Sequence, residues 1–132
     1  MADTSSVRFR QRRENFNKSF DLLQRTLQRE KLNEIERGGL IQFFEVTFEL
    51  AWKCLGDYLE SEGFTVTSPK KIFKQAFQSR LIEDGELWLQ ALEDRNLTTH
   101  TYDEQKSLEV ERMIRTKYSP LLQHLHDTLS RL

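Results

Sequence analysis

Apolar residues recur along the chain at helical spacing. Phe9, Phe16, Phe20, Leu23 and Leu27 fall seven, four, three and four residues apart, which is one stripe of an amphipathic α-helix. The stretch before it, residues 1–7, is polar and is expected to be disordered. Around Arg37-Gly38-Gly39 the pattern re-phases. Leu40, Phe44, Thr47, Phe48, Ala51, Leu55, Tyr58 and Leu59 then trace a long second helix that stops at Gly63, a residue free to take the left-handed backbone of a helix end.

The β-branched string Phe64-Thr65-Val66-Thr67 reads as an extended connector. Ser68-Pro69 follow as N-cap and first residue of a third helix carrying Ile72, Phe73, Ala76 and Phe77. Asp84 caps a fourth, with Gly85 and Glu86 in its first turn and Leu87, Trp88, Ala91 and Leu92 on its apolar side, expected to fade near Asn96. A fifth is expected from the box Thr101-Tyr102-Asp103-Glu104, whose hydroxyl and carboxylate each satisfy a backbone N–H; its apolar positions include Leu108, Met113 and Ile114. Ser119-Pro120 kinks or restarts it, before Leu121, Leu122, Leu125, Leu129 and Leu132 finish the stripe. With no repeat and no low-complexity linker, the pattern predicts one all-α domain over 1–132, an antiparallel bundle of four to five helices.

Composition supports slender helices: 37% of residues are hydrophobic and 31% charged. Twenty basic and 21 acidic side chains leave a net charge of −1, so no global field draws the chain onto nucleic acid and any RNA contact must be local. Arg8, Arg10, Arg12 and Arg13 read as a solvated basic face in preference to an RNA contact. The single cysteine, Cys54, has no partner within the chain, which points to a reducing setting. No apolar leader or span is present, so no membrane association is predicted and the expected location is cytoplasmic. His124 and His126 diverge on a helix, and Cys54 is remote from both, so no metal site is predicted. Gly38-Gly39 lacks the context of a phosphate loop, and no cofactor is predicted.

Chemistry concentrates in Arg95-Asn96-Leu97-Thr98-Thr99-His100-Thr101-Tyr102. On one continuous helix Arg95 and His100 would sit about 140° apart, but a break between them would let both address one phosphate. Cleavage of RNA by its own 2′-hydroxyl needs a proton acceptor, a proton donor and positive charge at phosphorus. An imidazole with an unperturbed pKa of about 6.5 and a permanently charged guanidinium supply these. On the long helix Gln42, Glu45, Glu49 and Lys53 form a polar stripe, either i,i+4-paired and solvated or lining the groove; Glu49 lines it if it faces His100.

The string Arg-x4-His-x-Tyr resembles the signature of HEPN toxins of the HepT kind. The segment 39–53, Gly-Leu-Ile-Gln-Phe-Phe-Glu-Val-Thr-Phe-Glu-Leu-Ala-Trp-Lys, resembles the long helix of the nucleotidyltransferase substrate-binding branch, and the similarity runs from about Phe16 to the C-terminus. The resemblance implies a homodimeric HEPN-like bundle, a metal-independent endoribonuclease toxin partnered by a minimal nucleotidyltransferase antitoxin of the MntA kind. Arg95 and His100 would be the catalytic pair, Asn96 the supporting polar residue, and Tyr102 the tyrosine that the partner modifies with AMP. Thr98 and Thr99 stand where toxin strings carry aliphatic residues, which places the chain nearer the substrate-binding branch. That branch supplies the alternative: a non-catalytic, substrate-binding subunit of a nucleotidyltransferase heteromer. A helical dimer without any nucleotide-related role is the third reading.

Overall fold

A computed structural model describes residues 4–98 and 103–132, with side chains placed for 6–95 and 103–132. The elements are α1 (Thr4–Leu27), α2 (Glu34–Ser61), α3 (Pro69–Gln78), α4 (Gly85–Thr98), α5 (Glu104–Met113), a π-helical turn (Ile114–Tyr118) and α6 (Ser119–Ser130). The last three run on as one rod over 104–130, making five helical rods, and there is no strand among the described residues.

Several boundaries differ from the sequence reading. α1 starts at Thr4, within the stretch expected to be disordered: Phe9 is buried against Tyr58, and Arg8 reaches Glu60 at 3.2 Å, so α2 supports the first turns. The glycine pair lies inside α2 rather than before it. Asn33 Oδ1 accepts from the Glu36 N–H at 2.8 Å while Glu36 Oε1 accepts from the Asn33 N–H at 2.9 Å, a complete capping box. That cap, with burial of Leu40 and Ile41, outweighs a helical penalty of about 1 kcal/mol for each glycine.

α4 continues past Asn96 to Thr98. α5 is capped by Asp103, whose carboxylate accepts from the Gln105 N–H at 3.0 Å; the expected cap, Thr101, lies outside the described residues. Phe77 and Leu108, assigned to apolar stripes, are 51% and 45% exposed, because α3 is covered over Ile72, Phe73 and Ala76 only and α5 buries no full residue. Other signals hold. Ser68 caps α3, Asp84 accepts from the Leu87 N–H that opens α4, and Gly63 takes a φ of 95°.

Contacts set the helix directions. Arg12 meets Asp57, Ser19 meets Thr47 and Arg29 meets Glu36, so α1 and α2 are antiparallel. Arg13 donates to the Leu129 carbonyl and Gln24 to Ser119, so the last rod is antiparallel to α1 as well. Arg37 meets Glu111 and Phe44 meets Tyr118 with the same sequence offset, so α2 and the last rod run the same way. The α3–α4 hairpin is the crossover that permits this.

Packing concentrates on aromatic rings. Phe44, Phe48, Phe73, Trp88 and Tyr118 form a chain of contacts with centroids 5.2–5.9 Å apart, which ties α4 and the last rod to the middle of α2. The buried hydroxyls of Ser19 and Thr47 are paired with each other. Thr47 donates to the Phe43 carbonyl at 2.6 Å, which leaves Ser19 as the donor in the 2.6 Å hydroxyl contact across α1 and α2. Cys54 is fully enclosed, and burial pushes its thiol up to about 12, so it is an inert core residue.

Candidate functional site

The last described turn of α4 leans over the polar stripe of α2. Arg95 sits at the C-terminal end of its helix, where a cation meets the negative end of the helix dipole. Its Nη2 lies 3.5 Å from Glu49 Oε2. The other oxygen of the same carboxylate, Oε1, is 2.9 Å from Lys53 Nζ, which also lies 5.7 Å from the Trp52 ring. Glu49 is therefore flanked by two cations from two helices, both partly exposed. The hydrogen bond from Lys53, reinforced against partial burial by the charges of Lys53, Arg95 and Arg12, holds its carboxyl below the usual range.

Glu49 and Lys53 are an i,i+4 pair, and Glu49 also faces α4. The structure brings together Arg95 and Glu49. Asn96 lies on α4, with its side chain outside the described set. His100 and Tyr102 lie outside the described residues, in the interval between the end of α4 at Thr98 and the Asp103 cap.

Beneath Arg95 the neighbouring Asp94 accepts a hydrogen bond from the Tyr118 hydroxyl on the π turn, a contact across 24 residues that no local sequence pattern announces. The N-terminal arginines are largely engaged within the fold. Arg8 pairs with Glu60, Arg12 with Asp57 at 3.2 Å, and Arg13 with the Leu129 carbonyl and the Phe9 ring. Asp57 is nevertheless raised, because burial outweighs Arg12. Among the described residues no three His, Cys, Asp or Glu side chains are grouped to hold a metal ion, and no helix is long and apolar enough to cross a membrane.

A further network was not foreseen. Arg37 Nε donates to Glu111 Oε1 at 2.8 Å and Arg37 Nη2 to the Leu32 carbonyl at 2.9 Å, while Arg115 Nε donates to Glu111 Oε2 at 2.8 Å. Arg115 also donates to the Leu27 and Arg29 carbonyls, so the last rod grips the α1–α2 turn. Only the i,i+4 spacing of Glu111 and Arg115 was visible in the sequence.

Comparison with known proteins extends this picture. A family model described as nucleotidyltransferase substrate binding protein like matches residues 11–131. The chain belongs to that family. Within it, the HepT-like HEPN character suggested by the motif strings is supported by a protein of Haemophilus influenzae named probable ribonuclease HepT. That protein is 32% identical over 77 residues, 54% of this chain and 53% of the relative. The chain thus spans about half the length of that curated relative. A crystal structure of a protein from Thermus thermophilus shares the fold with a TM-score of 0.79 at 34% identity, covering 86% of this chain and 98% of that one. This nucleotidyltransferase substrate-binding-like chain is therefore an all-helical bundle of a fold already seen in a solved relative.

Proposed function

We propose that the chain is the HEPN component of a two-gene toxin–antitoxin module, a metal-independent endoribonuclease restrained by a minimal nucleotidyltransferase that transfers AMP to Tyr102. The observation that carries this reading is the seat of Arg95: a guanidinium at a helix end, beside Lys53, held to a carboxylate that a phosphate can replace. The name of the Haemophilus relative supports the same activity. In this reading Arg95 forks onto two phosphate oxygens and Glu49 retires toward Lys53. His100 takes the 2′-hydroxyl proton as the 2′-oxygen bonds to phosphorus, and a proton is returned to the departing 5′-oxygen. A cyclic phosphate and a free 5′-hydroxyl result. Asn96 supports the pair, and a homodimer apposes two motif copies, which concentrates positive charge that the near-neutral chain lacks. AMP on Tyr102 places a bulky anion beside His100 and excludes RNA by volume and repulsion.

The test is incubation of purified protein with RNA in a chelator. Cleavage is expected, falling at least about a hundredfold in Arg95→Ala and His100→Ala. After co-expression with the transferase, intact mass should rise by AMP mapped to Tyr102, and Tyr102→Phe should show no such increment while still cleaving. Wild-type protein that leaves RNA intact removes the ribonuclease reading. The family description itself favours a second reading, a non-catalytic subunit that presents substrate to the transferase. Co-purification with the transferase without RNA cleavage would select it.

A further inference from the structure

Pro120 has no N–H to offer the Thr116 carbonyl, and its ring crowds that group. The rod answers with the π turn at Ile114–Tyr118, in which the Ser119 N–H reaches back five residues to the Ile114 carbonyl. The inserted residue changes the facing of the side chains before Pro120. Tyr118 points inward, 3% exposed, with its ring stacked on Phe44 at 5.5 Å and its hydroxyl on the Asp94 carboxylate of α4. Burial, then Asp94, raises the phenol well above its usual range, so the tyrosine keeps its proton and is the donor.

Asp94 and Arg95 are successive residues near the C-terminal end of α4, about 100° apart around its axis. Tyr118 therefore grips α4 from the core side, while Arg95 leans over Glu49 on α2. We propose that Tyr118, presented by the π turn that Pro120 imposes, is a positioning residue for Arg95: by holding Asp94 it fixes where the adjacent guanidinium meets a phosphate. The inference rests on the ribonuclease reading for its activity readout and on geometry alone for its structural one.

Tyr118→Phe keeps the stacked ring and removes only the hydroxyl. In the full-length protein it is expected to lower kcat for RNA cleavage about tenfold with KM within about twofold, as displacement of a transition-state contact does. Asp94→Ala should match it. Asp94→Asn, which still offers Tyr118 an oxygen, should recover most of the rate, and the double variant Tyr118→Phe/Asp94→Ala should be no slower than either single one. Ser19→Ala, which loses a buried hydroxyl contact between α1 and α2, serves as a destabilised control and should keep wild-type kcat.

Independently of activity, the Nε–H resonance of Arg95 in a ¹⁵N spectrum, assigned through Arg95→Lys, should shift or broaden in Tyr118→Phe while that of Arg37 stays in place. Wild-type kcat with an unmoved Arg95 signal in Tyr118→Phe would overturn the proposal, as would equal slowing by Ser19→Ala. If wild-type protein does not cut RNA, the ribonuclease reading fails, and the Arg95 resonance decides the positioning claim by itself: movement supports it and constancy overturns it.

Discussion

Two glutamates of this protein each lie between two cations, and the bundle treats them differently. Glu111 is held by Arg37 and Arg115 at 2.8 Å on both oxygens, with side-chain exposures of 12% for Glu111 and 9% for Arg37. The two guanidiniums also donate to the Leu32, Leu27 and Arg29 carbonyls. Glu49 is 40% exposed and is reached at 2.9 Å by Lys53 and at 3.5 Å by Arg95. The first cluster directs hydrogen bonds from both arginines to a carboxylate and to backbone carbonyls, so exchanging any member strands the others. In the second, water reaches all three groups, and the longer arm belongs to the arginine of the candidate site. The same residue types thus make a structural clasp where they are buried and a replaceable counter-ion where they are open.

That contrast sets the expected sizes of substitutions. Glu111→Ala should destabilise the fold by about 3–5 kcal/mol in urea unfolding, because it leaves Arg37 buried without its carboxylate. A loss under 1 kcal/mol would mean that the clasp is as loose as the Glu49 cluster. Arg95→Ala should change stability by less than about 1 kcal/mol while abolishing most RNA cleavage, the reverse profile. Smaller again, Glu49→Gln should leave stability within about 1 kcal/mol and tighten RNA binding a few-fold in filter binding at low salt, with the gain fading as salt rises. Unchanged binding would mean that Glu49 does not compete with phosphate.

The smallest effect expected is on pH dependence. Burial would raise the Glu111 carboxyl, but hydrogen bonds from Arg37 and Arg115 outweigh it and hold the folded value below the ordinary 4.5. Its contribution is therefore present above that pH and is lost as pH falls through the lowered value. Asp57, raised by burial, acts in the opposite sense and makes the acid limb shallower. In acid titrations of unfolding free energy, Glu111→Gln should flatten the limb and Asp57→Asn should steepen it.

What could be read in advance was the facing of side chains, because periodicity encodes it directly: the stripe of Phe16, Phe20 and Leu23, the cap at Ser68 and the stop at Gly63 all appear as expected. Boundaries set by competition were misjudged. The glycine pair looked like an interruption because its propensity cost is local, whereas the Asn33–Glu36 box and the burial around it act together. Pairings at long separation, Arg37 with Glu111 and Tyr118 with Asp94, leave no mark in a single sequence, since each side chain is ordinary in its own helix. Of the candidate site, Arg95 and Glu49 were named in advance and meet in the fold. Their meeting depends on the crossover hairpin, which no spacing rule supplies.

The lacing of the last rod to α1 carries a consequence for how the chain assembles. α1 and α2 are joined by a six-residue turn and can pair early, while the contact between Arg13 and Leu129 spans 116 positions. It forms only when that whole loop has been closed. α6 is thus the latch of the molecule: weakening it should chiefly hasten unfolding and leave the rate of folding almost untouched.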